Sequence, residues 1–383
     1  MNKRSSPTER IRVAVGVSSA GERASTTADV AGIPSQRAAS PRPQAPRPRE
    51  GRAGWRSTVV WTASAVALLA VACALSLVVG SYPASPARVL SAVLSPGQAD
   101  VDTIVWHVRI PRTVSGLLAG SALGVAGAVM QGLTRNPLAG PGILGVNAGA
   151  SLAVVTAIAL GVTTAGGHLW FAFAGAGAAA LFVYVLGSLG RGGATPVKLA
   201  LAGAALTAMV GSMTTIVTLL DAATLDEYRF WAVGSLTRAG AEVTAAVGPF
   251  LVTGFLLALT VSGSLNTIAL GEDMARSLGT RLVAIRVLAA VSVLLLAGTA
   301  TVIAGPIAFV GLAVPHIARL LIGPDYRWIM PLSALLGPIL LLLADVAGRW
   351  LVQPEQLQVG IVTGLAGGPL FLYLVRRRKV AQL

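Results

Sequence analysis

Arg109 and Arg112 stand on either side of Pro111, directly before a long uncharged apolar stretch, and Arg349 follows Asp345 by four residues. Guanidinium groups placed this way do one kind of chemistry well. They take up carboxylates through charge-assisted, often bidentate hydrogen bonds. Pro111 stiffens the chain between the first two. At the ends of membrane helices the three arginines fall on the side that usually carries few cations. The expectation is an exposed cationic collar that docks a partner through its acidic residues. Arginines at span ends also serve as interfacial anchors, and Asp345 with Arg349 has the spacing of an intrahelical ion pair.

A second constellation lies in the segment Ala269–Thr280, ALGEDMARSLGT. Gly271 and Gly279 bound a helix-like core whose acidic start, Glu272 and Asp273, suits the positive end of a helix dipole. A short helix lying along the membrane is expected here. It is a candidate protein-contact element, and an ordinary amphipathic connector is the plainer alternative.

Other chemistries lack their residues. The three lysines, Lys3, Lys198 and Lys379, follow Asn, Val and Arg, so no phosphate-binding GK pair exists. His107, His168 and His316 have no metal-ligand spacing, and no metal or other cofactor is expected on this chain. There is neither a nucleophile elbow nor a pair of catalytic carboxylates. The lone cysteine, Cys73, excludes an internal disulfide. Ion-coupled carriers place acids near the bilayer midplane, and here only Asp345 stands inside a span. A transport subunit powered by another chain is expected, and not an enzyme.

The elements that must position these residues are membrane helices. Of the 383 residues 54% are hydrophobic and 11% charged, against about 25% charged in soluble domains. Mean hydropathy is +0.75. Ten spans are expected, at about 58–80, 113–132, 144–162, 168–189, 198–220, 245–265, 284–304, 306–322, 330–348 and 358–375, each near the length that crosses a bilayer. Spans seven and eight are parted only by Gly305-Pro306. Gly116, Gly120 and Gly124 recur every four residues, a stripe that lets backbones approach and places span two centrally in the bundle. The Pro/Gly-rich turn 136–142 after it is expected to form a rigid elbow.

Residues 1–56 hold eleven of the basic residues and four acids, with no hydrophobic periodicity. They are expected to form a disordered cytoplasmic tail, attracted to anionic lipid. No aromatic interleaving supports nucleic-acid binding. Residues 57–383 are expected to form the membrane domain. With both termini inside, Arg135, Arg191, Lys198, Arg276, Arg281, Arg286, Arg319, Arg327 and the cluster 376–379 are cytoplasmic. Arg88, Arg109, Arg112, Arg229, Arg238 and Arg349 lie outside, as the positive-inside bias requires.

Several separated segments together resemble the FecCD family of permease subunits of bacterial iron-siderophore, haem and vitamin B12 importers. They are Arg109–Ala150, the loop 270–280, GPIAFVGLAVPHIAR at 305–319 and Gly360–Pro369. The likeness covers residues 57–380; the first 56 have no counterpart. It implies an all-α, ten-helix type II ABC importer permease of the cytoplasmic membrane, paired with a second copy or homologue. Two ATPase subunits would use the ATP, and an external solute-binding protein would deliver the ligand. By the same resemblance Arg109, Arg112 and Arg349 dock the binding protein, and Gly271, Glu272, Ala275, Leu278 and Gly279 contact the ATPase. Ferric siderophore is the expected cargo. Cobalamin or haem is the alternative, and a stand-alone secondary transporter is the alternative of a different class.

Overall fold

The computed structural model describes residues 55–377, apart from 81, 83, 96, 98, 99, 163, 190–194 and 354. The proposed tail therefore lies almost wholly outside the described residues, as does part of the terminal cluster 376–379. Every regular element among the described residues is helical. Seven helices are long and apolar enough to cross a membrane, and three shorter apolar helices accompany them. Each of the ten matches one expected span.

In chain order they are α1 (Trp55–Val78), α2 (Pro86–Leu94), α3 (Asp100–Ile104), α4 (Ile110–Thr134), α5 (Val146–Ala159), α6 (Ala165–Ser188), α7 (Pro196–Leu220), α8 (Ala222–Ala232), α9 (Ala241–Ala269), α10 (Glu272–Ser277), α11 (Leu282–Ala304), α12 (Val310–Ile322), α13 (Tyr326–Leu351) and α14 (Val359–Arg377). The short helices α2, α3 and α8 were not foreseen. Serine and aspartate caps start two of them: Ser85 accepts from the Arg88 amide, and Asp221 from the Thr224 amide.

α4 is the axis of the fold, and its glycines explain why. It runs antiparallel to α13, with Gly116 against Leu342, Gly120 against Gly337 and Pro338, and Gly124 against the Ser333 carbonyl. A Cβ on Gly120 would stand 2.5 Å from the Pro338 Cα, so only glycine allows this approach. Ser121 Oγ fastens the seam by donating to the Ala334 carbonyl at 2.8 Å. Three residues past Gly124, Gly127 faces Gly311 of α12 instead. The expected stripe is thus present, and α4 is buried along most of its length.

Two boundaries differ from expectation. Span two was expected to begin at 113, yet helix runs continuously from Asp100 to Thr134. A single π-turn, Val105–Arg109, joins α3 to α4, with the Ile110 amide donating to the Val105 carbonyl. Pro111 cannot donate and crowds the preceding turn; the wider π-turn accommodates it without ending the helix. The break between spans seven and eight is also longer than Gly305-Pro306. It covers 305–309 and turns on Gly305 (φ 75°) and Phe309 (φ 67°). The Ala304 carbonyl left at this break accepts from the Ser235 amide at 2.7 Å. After α4 the elbow folds inward: Ala139 and Pro141 are buried, and Pro141–Leu144 is a 3₁₀ turn.

Candidate functional site

At one end of the bundle the three arginines of the expected collar do come together, but they point inward. Arg109 is 4% exposed, Arg112 6% and Arg349 1%, with Asp345 wholly buried among them. This corrects the expectation of an exposed cationic collar. Arg112 Nη2 lies 2.8 Å from Asp345 Oδ1, its Nε donates to both carboxylate oxygens, and Nη1 donates to Gln356 Oε1 at 2.7 Å. Arg349 Nη2 reaches Asp345 Oδ2 at 3.0 Å, so the intrahelical pair expected from spacing is present.

Three guanidiniums face one carboxylate, and the remaining charge is met by the C-terminus of α1. Arg109 Nη1 donates to the Leu77 and Val78 carbonyls at 2.7 and 2.9 Å, and Nη2 to Tyr82 at 2.7 Å. Arg349 Nη1 donates to the Ser76 carbonyl at 3.0 Å and also to that of Val79. A helix C-terminus carries unpaired carbonyls and partial negative charge, so it is a natural seat for cations. Ser76 Oγ and Thr113 Oγ1, 2.8 Å apart, close the site between α1 and α4. The arrangement ties α1, α4, α13 and the segment before α14 at a single point. Nothing in the spacing of Gln356 or Ser76 marked them as members.

At the opposite end α10 takes the expected short helical form. Gly271 (φ 111°) and Gly279 (φ 79°) set its ends with backbone angles that L residues rarely adopt. Leu278, 61% exposed, faces outward, as does Met274, which sequence reasoning did not single out. Ala275 and Glu272 do not face outward. Ala275 is fully buried against the bundle, which corrects its expected place on a contact face. Glu272 turns back to Arg286 of α11, Oε1 to Nη2 at 2.5 Å, and its other oxygen lies 3.4 Å from Arg276 Nη2.

A polar knot unmarked by sequence lies near this end. Arg319 Nη2 donates to Tyr326 Oη at 2.8 Å and lies 3.5 Å from Gln131 Oε1. Gln131 Nε2 donates to the Leu312 carbonyl at 3.1 Å. Asn266 Nδ2 donates to Asp325 Oδ1 at 2.6 Å, while its Oδ1 accepts from the Tyr326 amide. These contacts fasten α4, α9, α12 and α13 together. Among the described residues no His, Cys, Asp and Glu cluster has the makings of a metal site.

A bundle of helices long and apolar enough to cross a membrane many times, gathered round a glycine-seamed central helix and carrying short helices between its spans, is the architecture of a multi-pass membrane protein. The chain belongs to the FecCD transport family, which it matches over residues 68–377. It is 46% identical over 313 residues to the ferric enterobactin transport system permease protein of Escherichia coli, covering 81% of this chain and 93% of that one. The Fe(3+)-citrate import system permease protein of Bacillus subtilis is 45% identical, over 72% of this chain and 81% of its own length. A solved structure described as an inward-facing metal-chelate type ABC transporter superposes with a TM-score of 0.74 at 25% identity. It covers 84% of this chain and 100% of that one.

Proposed function

We propose that this chain is the permease subunit of an ABC importer that moves ferric siderophore into a bacterial cytoplasm. Its closeness to the E. coli ferric enterobactin permease over nearly all of that protein's length carries the reading. The chain lies in the cytoplasmic membrane with both termini inside. The end that holds Arg349 then faces out and α10 faces in. A second permease copy or homologue completes the pathway, two ATPase subunits sit beneath α10, and a solute-binding protein docks outside. ATP binding closes the ATPase pair, displaces α10 and rocks the bundles between outward- and inward-open states. No cofactor is held by this chain; ATP is used by its partners.

In this reading Arg109, Arg112 and Arg349 still serve the docking face, but through a release step. To receive acidic residues of the binding protein their guanidiniums must leave the α1 carbonyls and Asp345. Docking is then linked to loosening of the α1 C-terminus.

The test is uptake of ⁵⁵Fe bound to several siderophores by cells lacking this chain, with labelled haem and cobalamin alongside. Loss of one siderophore class, restored by the wild-type gene, is the expected result. Loss of haem uptake alone would move the assignment to the second reading, which a 36% identical hemin transport system permease protein of Yersinia pestis favours. Uptake that persists without ATP or any partner chain would overturn the importer altogether.

A further inference from the structure

We infer that the Glu272–Arg286 ion pair is the strut that carries movement of α10 into the transmembrane bundle, an inference that rests on the reading of α10 as the ATPase-contacting helix. α10 is only six residues long and is flanked by glycines on both sides. Backbone so permissive at Gly271 and Gly279 is a poor transmitter of force, because each glycine can take up displacement by rotation. A rigid link must therefore come from side chains. Two side chains tie the helix inward. Ala275 packs against the bundle through a single methyl group, and Glu272 reaches Arg286 at 2.5 Å.

Arg286 is well placed to receive a push. It lies one turn inside α11, and α11 packs along both α4 and α9. Its side chain also borders a cavity of about 30 Å³ between α11 and the inner ends of α4 and α6, lined among others by Thr134 and Tyr184. The pair is shielded, both side chains being about one-quarter exposed or less, so it is screened less than the outward Arg276–Asp273 pair. Arg276 steadies the second Glu272 oxygen and holds the carboxylate in line. Glu272 and Arg286 are positioning residues, acting on transport through α11.

The experiment uses the full importer in cells, with permease, ATPase and binding protein together, and the ⁵⁵Fe-siderophore from the panel above that wild-type cells accumulate. Glu272→Arg and Arg286→Glu are made singly and together, with Arg286→Lys as the conservative variant. Each single reversal should lower uptake about tenfold, and the double reversal should recover at least about a third of it, the mark of a direct coupling. Arg286→Lys should stay near wild type, and co-purification of the ATPase should be unchanged throughout. Normal uptake in the single reversals, or a double reversal no better than either, overturns the strut. A separate variant, Leu278→Cys, tests the underlying reading by cross-linking to the ATPase. If it fails to cross-link, the contact role of α10 falls and the strut falls with it; if it cross-links while the charge swap fails, the strut alone is wrong.

Discussion

Arg112 of α4 and Asp345 of α13 meet 2.8 Å apart at a point where neither side chain is more than 6% exposed. The contact joins residues 233 positions apart and closes the glycine seam between the two helices at its α13 C-terminal end. Loss of Asp345 removes the one carboxylate from among the buried guanidiniums, whereas loss of Arg112 leaves Asp345 still paired with Arg349, so the two members are not equally dispensable.

Removing Asp345 as Asp345→Leu should therefore destabilise the protein by about 3–5 kcal/mol, and Arg112→Met by less, because Arg349 still pairs with Asp345. The double variant should lose clearly less than the sum of the two. Thermal unfolding of the detergent-solubilised chain measures all three, and strict additivity would count against the pair. Arg112→Glu should be worse than either, since it sets a second carboxylate against Asp345. Charge reversal at Arg112 is then a test of folding before it is a test of docking.

Gly120 and Gly248 make a matched comparison on two long helices. A methyl group at Gly120 meets the Pro338 backbone at 2.5 Å, whereas one at Gly248 of α9 meets nothing within 4 Å. Gly120→Ala should cost about 1–3 kcal/mol by overpacking α4 against α13. Gly248→Ala should cost clearly less, its gain in helix propensity being offset by the crowding of a Cβ directly before Pro249. Yield and thermal midpoint decide between them, and equal effects would refute the close approach.

Gly279 differs from Gly120 because its surroundings are open and its constraint lies in the backbone, with φ at 79°. Gly279→Val should strain the α10 terminus by about 1–2 kcal/mol and lower uptake per ATP hydrolysed. Gly279→Asn should be better tolerated, because asparagine enters the left-handed region more readily. Similar transport in both variants would show that this angle does not matter.

Asp221 offers a pH-dependent test at the start of α8. The Thr224 hydroxyl, at 2.7 Å, and then its amide hold the carboxylate below the usual carboxylate range. A depressed folded pKa means that this cap contributes fully above about pH 4 and is lost as pH falls through the folded value. Thr224→Val removes the hydroxyl donor and should raise the Asp221 pKa. A ¹³C carboxyl titration reads the shift directly, and an unmoved titration would refute the assignment of its cause.

The amino-acid sequence by itself determined the ten apolar helices of the bundle, roughly where each begins and ends, and which small residues line α4, but not the short helices α2, α3 and α8. These follow from local properties: runs of apolar residues, four-residue spacing, and the turn preferences of glycine and proline. It also determined that α10 is short and glycine-bounded. Only the tertiary structure decided which way the polar side chains turn. Arg109, Arg112 and Arg349 have the look of surface cations, yet the α1 carbonyls and Asp345 draw them inside. Glu272 reads as an outward helix start, yet Arg286 turns it back. The physical reason is the same in each case. A buried charge takes its orientation from whichever opposite charge the fold brings within about 3 Å, and that neighbour can lie hundreds of residues away in the chain.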